Sequence, residues 1–224
     1  MFPIPLRDDR PTYSAPIVTT LLIVACVLVF FYELSLEPYS RNYFITHWGT
    51  VPAHLRLPTL VTSMFLHGGW LHIIFNMFFL WAFGRSLEDA MGHSKFLAFY
   101  LIGGVIAGMV NVWVNLYSPI PTVGASGAIA AVMGAYLVKF PRAKIEVLIF
   151  VFFFLTTVEL PAVLLLLFWF GLQLLNGYGS IANTSVSDSN VAFFAHIGGF
   201  VAGMILVQLM GTRNRYLPRR DIYW

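Results

Sequence analysis

The sequence predicts an all-α membrane protein: a bundle of six transmembrane helices with both termini in the cytoplasm. Three observations carry this expectation, namely the composition, six apolar segments and the placement of the basic residues. Of 224 residues, 58% are apolar and 10% are charged, against about 25% charged in a soluble domain. That balance excludes disorder and nucleic-acid binding, and argues against a soluble enzyme despite a net charge of +3. The 21 Phe and 18 Gly suit helices packed in lipid, where small residues let backbones approach. One cysteine, Cys26, excludes an internal disulfide.

A bilayer core about 30 Å thick takes roughly 20 apolar residues per helix. Apolar segments lie near 17–32, 71–83, 96–116, 127–138, 161–175 and 191–210. The first follows a Pro-rich segment, 1–16, and reads as a retained anchor, because no small-residue cleavage site follows it. With the N-terminus inside, the inner segments hold eleven of the thirteen basic residues: Arg7, Arg10, Arg85, Lys95, Lys139, Arg142, Lys144, Arg213, Arg215, Arg219 and Arg220. Only Arg41 and Arg56 fall outside. The positive-inside rule asks for this asymmetry, and the inverted threading fails it.

Three connections need separate treatment. The outer segment 33–70 carries Trp48, Tyr39, Tyr43 and three prolines, which predicts a structure lying in the interface. The stretch 145–176 has 32 residues; as one helix it would be about 48 Å long, too long for one span and too short for two. Pro161 is well placed to open a helix, so the fifth span is expected to start there. That leaves 147–157, rich in Val, Phe and Thr, extended or re-entrant at the inner interface. Finally, 180–190 reads as a polar, mobile outer loop.

Against this apolar background, polar residues inside spans mark candidate sites. They are His72 and Asn76 in the second segment, Ser126 at the head of the fourth, and His196 in the sixth. His72 and Ser126 each lie 13 residues before the inner end of their spans, about 20 Å above that surface. His196 lies five residues inside its outer end, roughly 8 Å deep. All three therefore sit at one level, toward the outer face. Gly124 and Gly127 flank Ser126, and Gly199-x-x-x-Gly203 follows His196. Small faces of this kind allow two helices to pack closely and bring the Ser and the His within reach.

A Ser beside a His is the minimum for an activated nucleophile, the imidazole acting as general base. At a helix start, free N–H groups and the dipole favour an oxyanion. His72 and Asn76 share a face at i, i+4 and supply further donors. Taken singly, each residue also has a structural reading. Ser126 then caps a helix, His196 bonds a carbonyl, and His72 and Asn76 hold helices together. His47, His54, His67 and His93 read as loop or interface residues, and Glu159 as interfacial. No H-E-x-x-H and no thiolate cluster is present in the sequence, so neither a metal nor another cofactor is expected.

The motifs together resemble the rhomboid intramembrane serine proteases. They are His67-Gly68-Gly69-Trp70-Leu71-His72-Ile73-Ile74-Phe75-Asn76, then Phe83-Gly84 with Leu87-Glu88 and Gly92, then Gly124-Ala125-Ser126-Gly127, then Ala195-His196 with Gly199 and Gly203. The resemblance implies a rhomboid-like transmembrane domain over 17–211, between a cytoplasmic segment 1–16 and a basic tail 212–224. It implies Ser126 as nucleophile and His196 as general base, without an acidic third member. His72, Asn76 and the Ser126 N–H correspond to the oxyanion hole. Segment 33–70 corresponds to a first loop partly in the membrane, and the fifth span with the loop after it to a mobile gate. Implied partners are single-span membrane substrates and the bilayer, with no nucleic acid and no metal, in a bacterial inner membrane. Many members place an aromatic residue four after the nucleophile, against the catalytic His. Ala130 stands there, so Phe194 or another ring is expected to orient His196.

Two other classes compete. A catalytically silent rhomboid-like binder of membrane helices would lack the Ser or the His, and both are present. A small-solute transporter would show inverted repeats, and none is evident.

Overall fold

The computed structural model describes residues 4–151, 154–182 and 192–212. Among the described residues eight α-helices run in chain order: α1 (Ile17–Ser35), α2 (Pro38–Trp48), α3 (Thr59–Thr62), α4 (Trp70–Met91), α5 (His93–Val114), α6 (Ser126–Lys139), α7 (Ala162–Ala182) and α8 (Phe193–Met210). The six expected apolar segments correspond to α1, α4, α5, α6, α7 and α8, and the fifth opens directly after Pro161.

Their lengths differ from the expectation. By length and composition α1, α5, α7 and α8 can each cross a membrane. Thr59–Phe65 with α4 qualifies only as a pair, bent by 97°. Helix α6 has 14 residues and is about 21 Å long, short of a 30 Å core. Four to five spans are therefore supported where six were expected. The multi-pass integral membrane architecture stands.

Helix α6 is the centre of the bundle. It is buried continuously from Gly127 to Leu137, being small and apolar on every side. Its most extensive packing is against α8, which also lies along α5. Glycines make that approach possible. A Cβ on Gly203 would stand 2.6 Å from the carbonyl carbon of Ala131 and 2.7 Å from its Cα. A Cβ on Gly199 would press on the Gly127 carbonyl oxygen. At the other end Tyr136 lies edge-on between Phe83 and Phe140, centroids 5.0 Å from each.

The protein is not all-α, which corrects the expected class. Strands β1 (Ile4–Asp8), β2 (Lys144–Val151) and β3 (Phe154–Pro161) form an antiparallel sheet in the order β1-β2-β3. The extended reading of 147–157 was correct, but the segment is the core of a hairpin, not a re-entrant strand. The hairpin resolves the length problem of 145–176: two strands turn back before α7 begins. Segment 1–16 supplies the third strand, with Ile4 opposite Leu148 and Asp8 opposite Ile145. β-branched residues favour this geometry, and alternation decides its faces. Ile145 and Val147 are fully buried, while Arg7 pairs with Glu146 and Lys144 with Glu159 on the open side. Glu159 is thus a strand residue in an exposed ion pair.

Buried carboxylates fasten this end of the bundle. No side chain of its own caps α1. Instead Glu88 of α4 accepts the N–H groups of Val18 and Thr19 at 2.8 Å each, and the Thr19 hydroxyl at 2.6 Å. A carboxylate at a helix N-terminus satisfies free donors and complements the dipole. Asp89 does the same for the chain just before, accepting the N–H and hydroxyl of Ser14. The polar loop expected at 180–190 lies outside the described residues from 183 onward, as does the basic tail from 213.

Candidate active site

Ser126 is the first residue of α6, and its position is set by the loop before it. Gly124 has φ +122°, a conformation that favours glycine. Its N–H donates to Ser63 O at 2.9 Å, which ties the turn to the outer segment. A Cβ on Gly124 would meet His72 Nε2 at 2.6 Å and lie 3.7 Å from Ser126 Oγ. One point thus touches both side chains, and only glycine leaves room for them. The first intrahelical bond runs from Ile129 N–H to Ala125 O at 2.9 Å, and no side chain caps this end. The N–H groups of Ser126, Gly127 and Ala128 are the orphan donors of a helix start.

Helix α8 meets α6 here. A Cβ on Gly127 would lie 3.7 Å from Ala195 Cβ. Ser126 precedes Gly127 and His196 follows Ala195, so the Ser and His stand next to the point where the helices touch. Ser126 is half-buried and His196 is 9% exposed. The order of the glycines along each helix, Gly127 against Gly199 and Ala131 against Gly203, keeps the two in register.

Of the rings expected beside His196, Phe194 or another, it is another that lies there. Phe194 does not approach its ring; the Phe194 ring lies against Gly177 of α7 instead. Trp169 of α7 lies beside His196, ring centroids 5.7 Å apart and planes tilted by 38°. The other contact is polar: Gln173 Oε1 is 2.8 Å from His196 Nδ1, with both side chains buried. Gln173 was missed in the sequence. Its signal was available, since a lone amide in an apolar segment at lipid depth needs a partner.

His72 and Asn76 lie one turn apart on α4, and His72 reaches the Gly124 turn beside Ser126. The Asn76 amide nitrogen is buried without a hydrogen-bond partner. A buried unsatisfied donor costs about 1–3 kcal/mol, and such groups concentrate at functional sites. His67 is a loop residue, as read, and it is fully buried. Its N–H donates to Glu33 Oε1 at 3.2 Å, and its ring stands edge-on to His72 at 5.2 Å. Glu33, from the end of α1, is therefore a buried support for the His67–His72 turn and not part of an outer loop.

A small recess of about 30 Å³ opens beside Ser126, lined by Thr50, Ser63, Asn111, Thr122, Gly124 and Ala195 among others. Its wall is tied together: Thr50 and Thr122 exchange backbone bonds, and the Asn111 amide donates to Thr122 Oγ1 at 3.0 Å. The interfacial segment expected at 33–70 is thus a structured wall of the site, folded as α2, α3 and short helical turns. Among the described residues no cluster of His, Cys, Asp and Glu could hold a metal.

Known proteins match this chain in sequence. The Rhomboid domain family matches residues 54–213, which includes α4 through α8 and all four candidate polar residues. Presenilin-associated rhomboid-like protein A, mitochondrial, of Danio rerio is 30% identical over 147 residues, 64% of this chain and 36% of that protein. Rhomboid protease GluP of Bacillus subtilis is 26% identical over 211 residues, 92% of this chain and 36% of that protein. Rhomboid protein 1, mitochondrial, of Saccharomyces cerevisiae is 35% identical over 98 residues, 42% of this chain and 28% of that protein. The chain spans about a third of the length of these relatives. With the Rhomboid match extending over residues 54–213, from before α4 to the end of α8, the chain belongs to the rhomboid family.

Proposed function

We propose that the protein is an intramembrane serine endopeptidase that cleaves single-span membrane proteins near the outer end of their transmembrane helix. Ser126 at the uncapped start of α6, with Ser126 and His196 each next in sequence to a residue of the Gly127–Ala195 contact, is the observation that carries this reading. Ser126 Oγ attacks the substrate carbonyl carbon while His196 Nε2 takes the hydroxyl proton. The carbonyl π pair moves to oxygen, forming an oxyanion. His196 then returns the proton to the leaving amine as the C–N bond breaks, leaving an acyl-enzyme. Water attacks that ester with the same proton traffic and frees the second product.

The oxyanion is served by the Ser126 N–H, His72 and Asn76. The unpartnered Asn76 amide supports this role: its donor is held ready for a charge that forms only during reaction. The recess beside Ser126 supplies the water. A short α6 supports the same picture, because its head stops below the outer surface if its foot reaches the inner one. The eleven inner basic residues support cytoplasmic termini. The match to GluP over 92% of the chain favours a bacterial plasma membrane.

The test is cleavage of a single-span reporter protein by the purified protein in detergent. Wild type is expected to cut and Ser126→Ala to lose cutting by a factor of 10³ or more, on the order of an oxyanion-hole residue or greater. Cutting that persists in Ser126→Ala rejects the mechanism. An intact, well-folded wild type that binds the reporter without cutting it would favour the silent helix binder.

A further inference from the structure

A general base needs one ring nitrogen free and the other held. In a Ser–His dyad without an acidic partner, some other acceptor must hold Nδ1–H, or the imidazole rotates and exchanges tautomers. Gln173 stands at that position. Its Oε1 is 2.8 Å from His196 Nδ1, and the two side chains are 7% and 9% exposed. An amide oxygen only accepts, so this bond requires the proton on Nδ1 and leaves the Nε2 lone pair free.

The bond is built into the fold. Trp169, Gln173 and Gly177 follow at i, i+4, i+8 along α7 and form one stripe facing α8. Trp169 lies on the His196 ring, and Gly177 touches Phe193, Phe194 and Ile197. One turn further along α8, Phe200 stacks on Phe170 at 4.5 Å, planes 19° apart. These contacts on either side of Gln173 fix the height and rotation of α7 where the amide meets the imidazole.

We propose that Gln173 is the positioning residue of the dyad, holding His196 as its Nδ1–H tautomer with Nε2 directed to Ser126. The proposal rests on the reading of Ser126 and His196 as nucleophile and base. It assigns to a side-chain amide on α7 the place that an aspartate takes in a triad.

The experiment compares wild type with Gln173→Leu, Gln173→Asn, Gln173→Glu and Ser126→Ala in detergent. Reporter cleavage is resolved into kcat and KM, and the rate of fluorophosphonate labelling is measured in parallel. Gln173→Leu removes the acceptor at similar volume and is expected to lower kcat and the labelling rate by about 10–100-fold, as loss of an outer-shell partner of a functional His does, with KM nearly unchanged. Gln173→Asn withdraws the amide by one methylene and is expected to lose about as much. It carries the comparison if the leucine variant does not fold. Gln173→Glu keeps an acceptor in reach and is expected to recover most of the lost rate, which a packing role alone would not produce. Equal kcat and labelling in wild type and Gln173→Leu, or no recovery in Gln173→Glu, overturns the proposal while leaving the dyad intact. Wild type that labels no faster than Ser126→Ala removes the dyad reading itself, and with it the role of Gln173.

Discussion

Gly203→Ala isolates the contact that sets α8 against α6. The new Cβ would stand 2.6 Å from the Ala131 carbonyl carbon and 2.7 Å from its Cα. Ordinary carbon contacts are about 3.5–4.0 Å, so the helices must part by about 1 Å. The obstacle is backbone of a buried helix, not the end of a flexible side chain, and cannot step aside. Overpacking of this kind costs about 1–3 kcal/mol, and alanine returns up to about 1 kcal/mol of helix propensity. The net expectation is a loss of about 2 kcal/mol. For a chain of this size that lowers Tm by roughly 4–8 °C. Because His196 rides on the same helix, the shift should also slow reporter cleavage on the order of 10²-fold. The control is Gly171→Ala on α7, whose Cβ meets nothing within 4 Å. It should hold Tm or raise it. Thermal unfolding in detergent, followed by tryptophan fluorescence, checks both. A Tm for Gly203→Ala that tracks Gly171→Ala would refute the argument that glycine sets this interface.

Two further predictions concern the other end of the bundle. Glu88→Ala leaves the first turn of α1 without its acceptors at Val18 and Thr19; broken buried charged networks cost about 3–5 kcal/mol, so Tm should fall by 6 °C or more on the order given above, and unchanged Tm would show that the clamp contributes nothing. Burial pushes the Asp8 carboxyl above the ordinary carboxylate range, opposed by hydrogen bonds from Ser86 and Tyr136 and by the nearby Arg85 and Arg10. The folded chain therefore holds this proton more tightly than the unfolded chain. Its contribution is whole below an ordinary carboxylate pKa of about 4 and is lost as pH rises through the raised value. Asp8→Asn should flatten the fall in Tm between about pH 4 and neutrality, and an identical profile in both proteins would contradict the assignment.

Much of the site was legible in the chain because lipid makes polar residues conspicuous. Ser126, His196, His72 and Asn76 stood out as the polar members of apolar segments, and the glycines beside them indicated which helices touch. The same logic applied to Gln173 and was not followed through, because one amide in an apolar run carries no motif. His67 is the loop residue it was read as, but its burial was not legible: its N–H bonds Glu33, 34 positions away, a distance no local pattern reports.

The sheet was less legible. Segment 144–161 has strand composition, but strands need partners, and β1 lies more than 130 residues earlier, with Ile4 opposite Leu148. Short-range propensity cannot choose between an extended segment on a membrane and a paired one.

By itself the amino-acid order determined the membrane character and the position of the apolar helical segments. Those follow from transfer energies and from a fixed rise per residue, which are properties of each segment alone. Tertiary packing decided which nitrogen of His196 is held and by what, the buried clamp on α1, the third strand, and the true lengths of the helices. Each of these depends on a contact between segments remote in the chain, and such contacts are selected by shape and by the need of every buried donor for an acceptor.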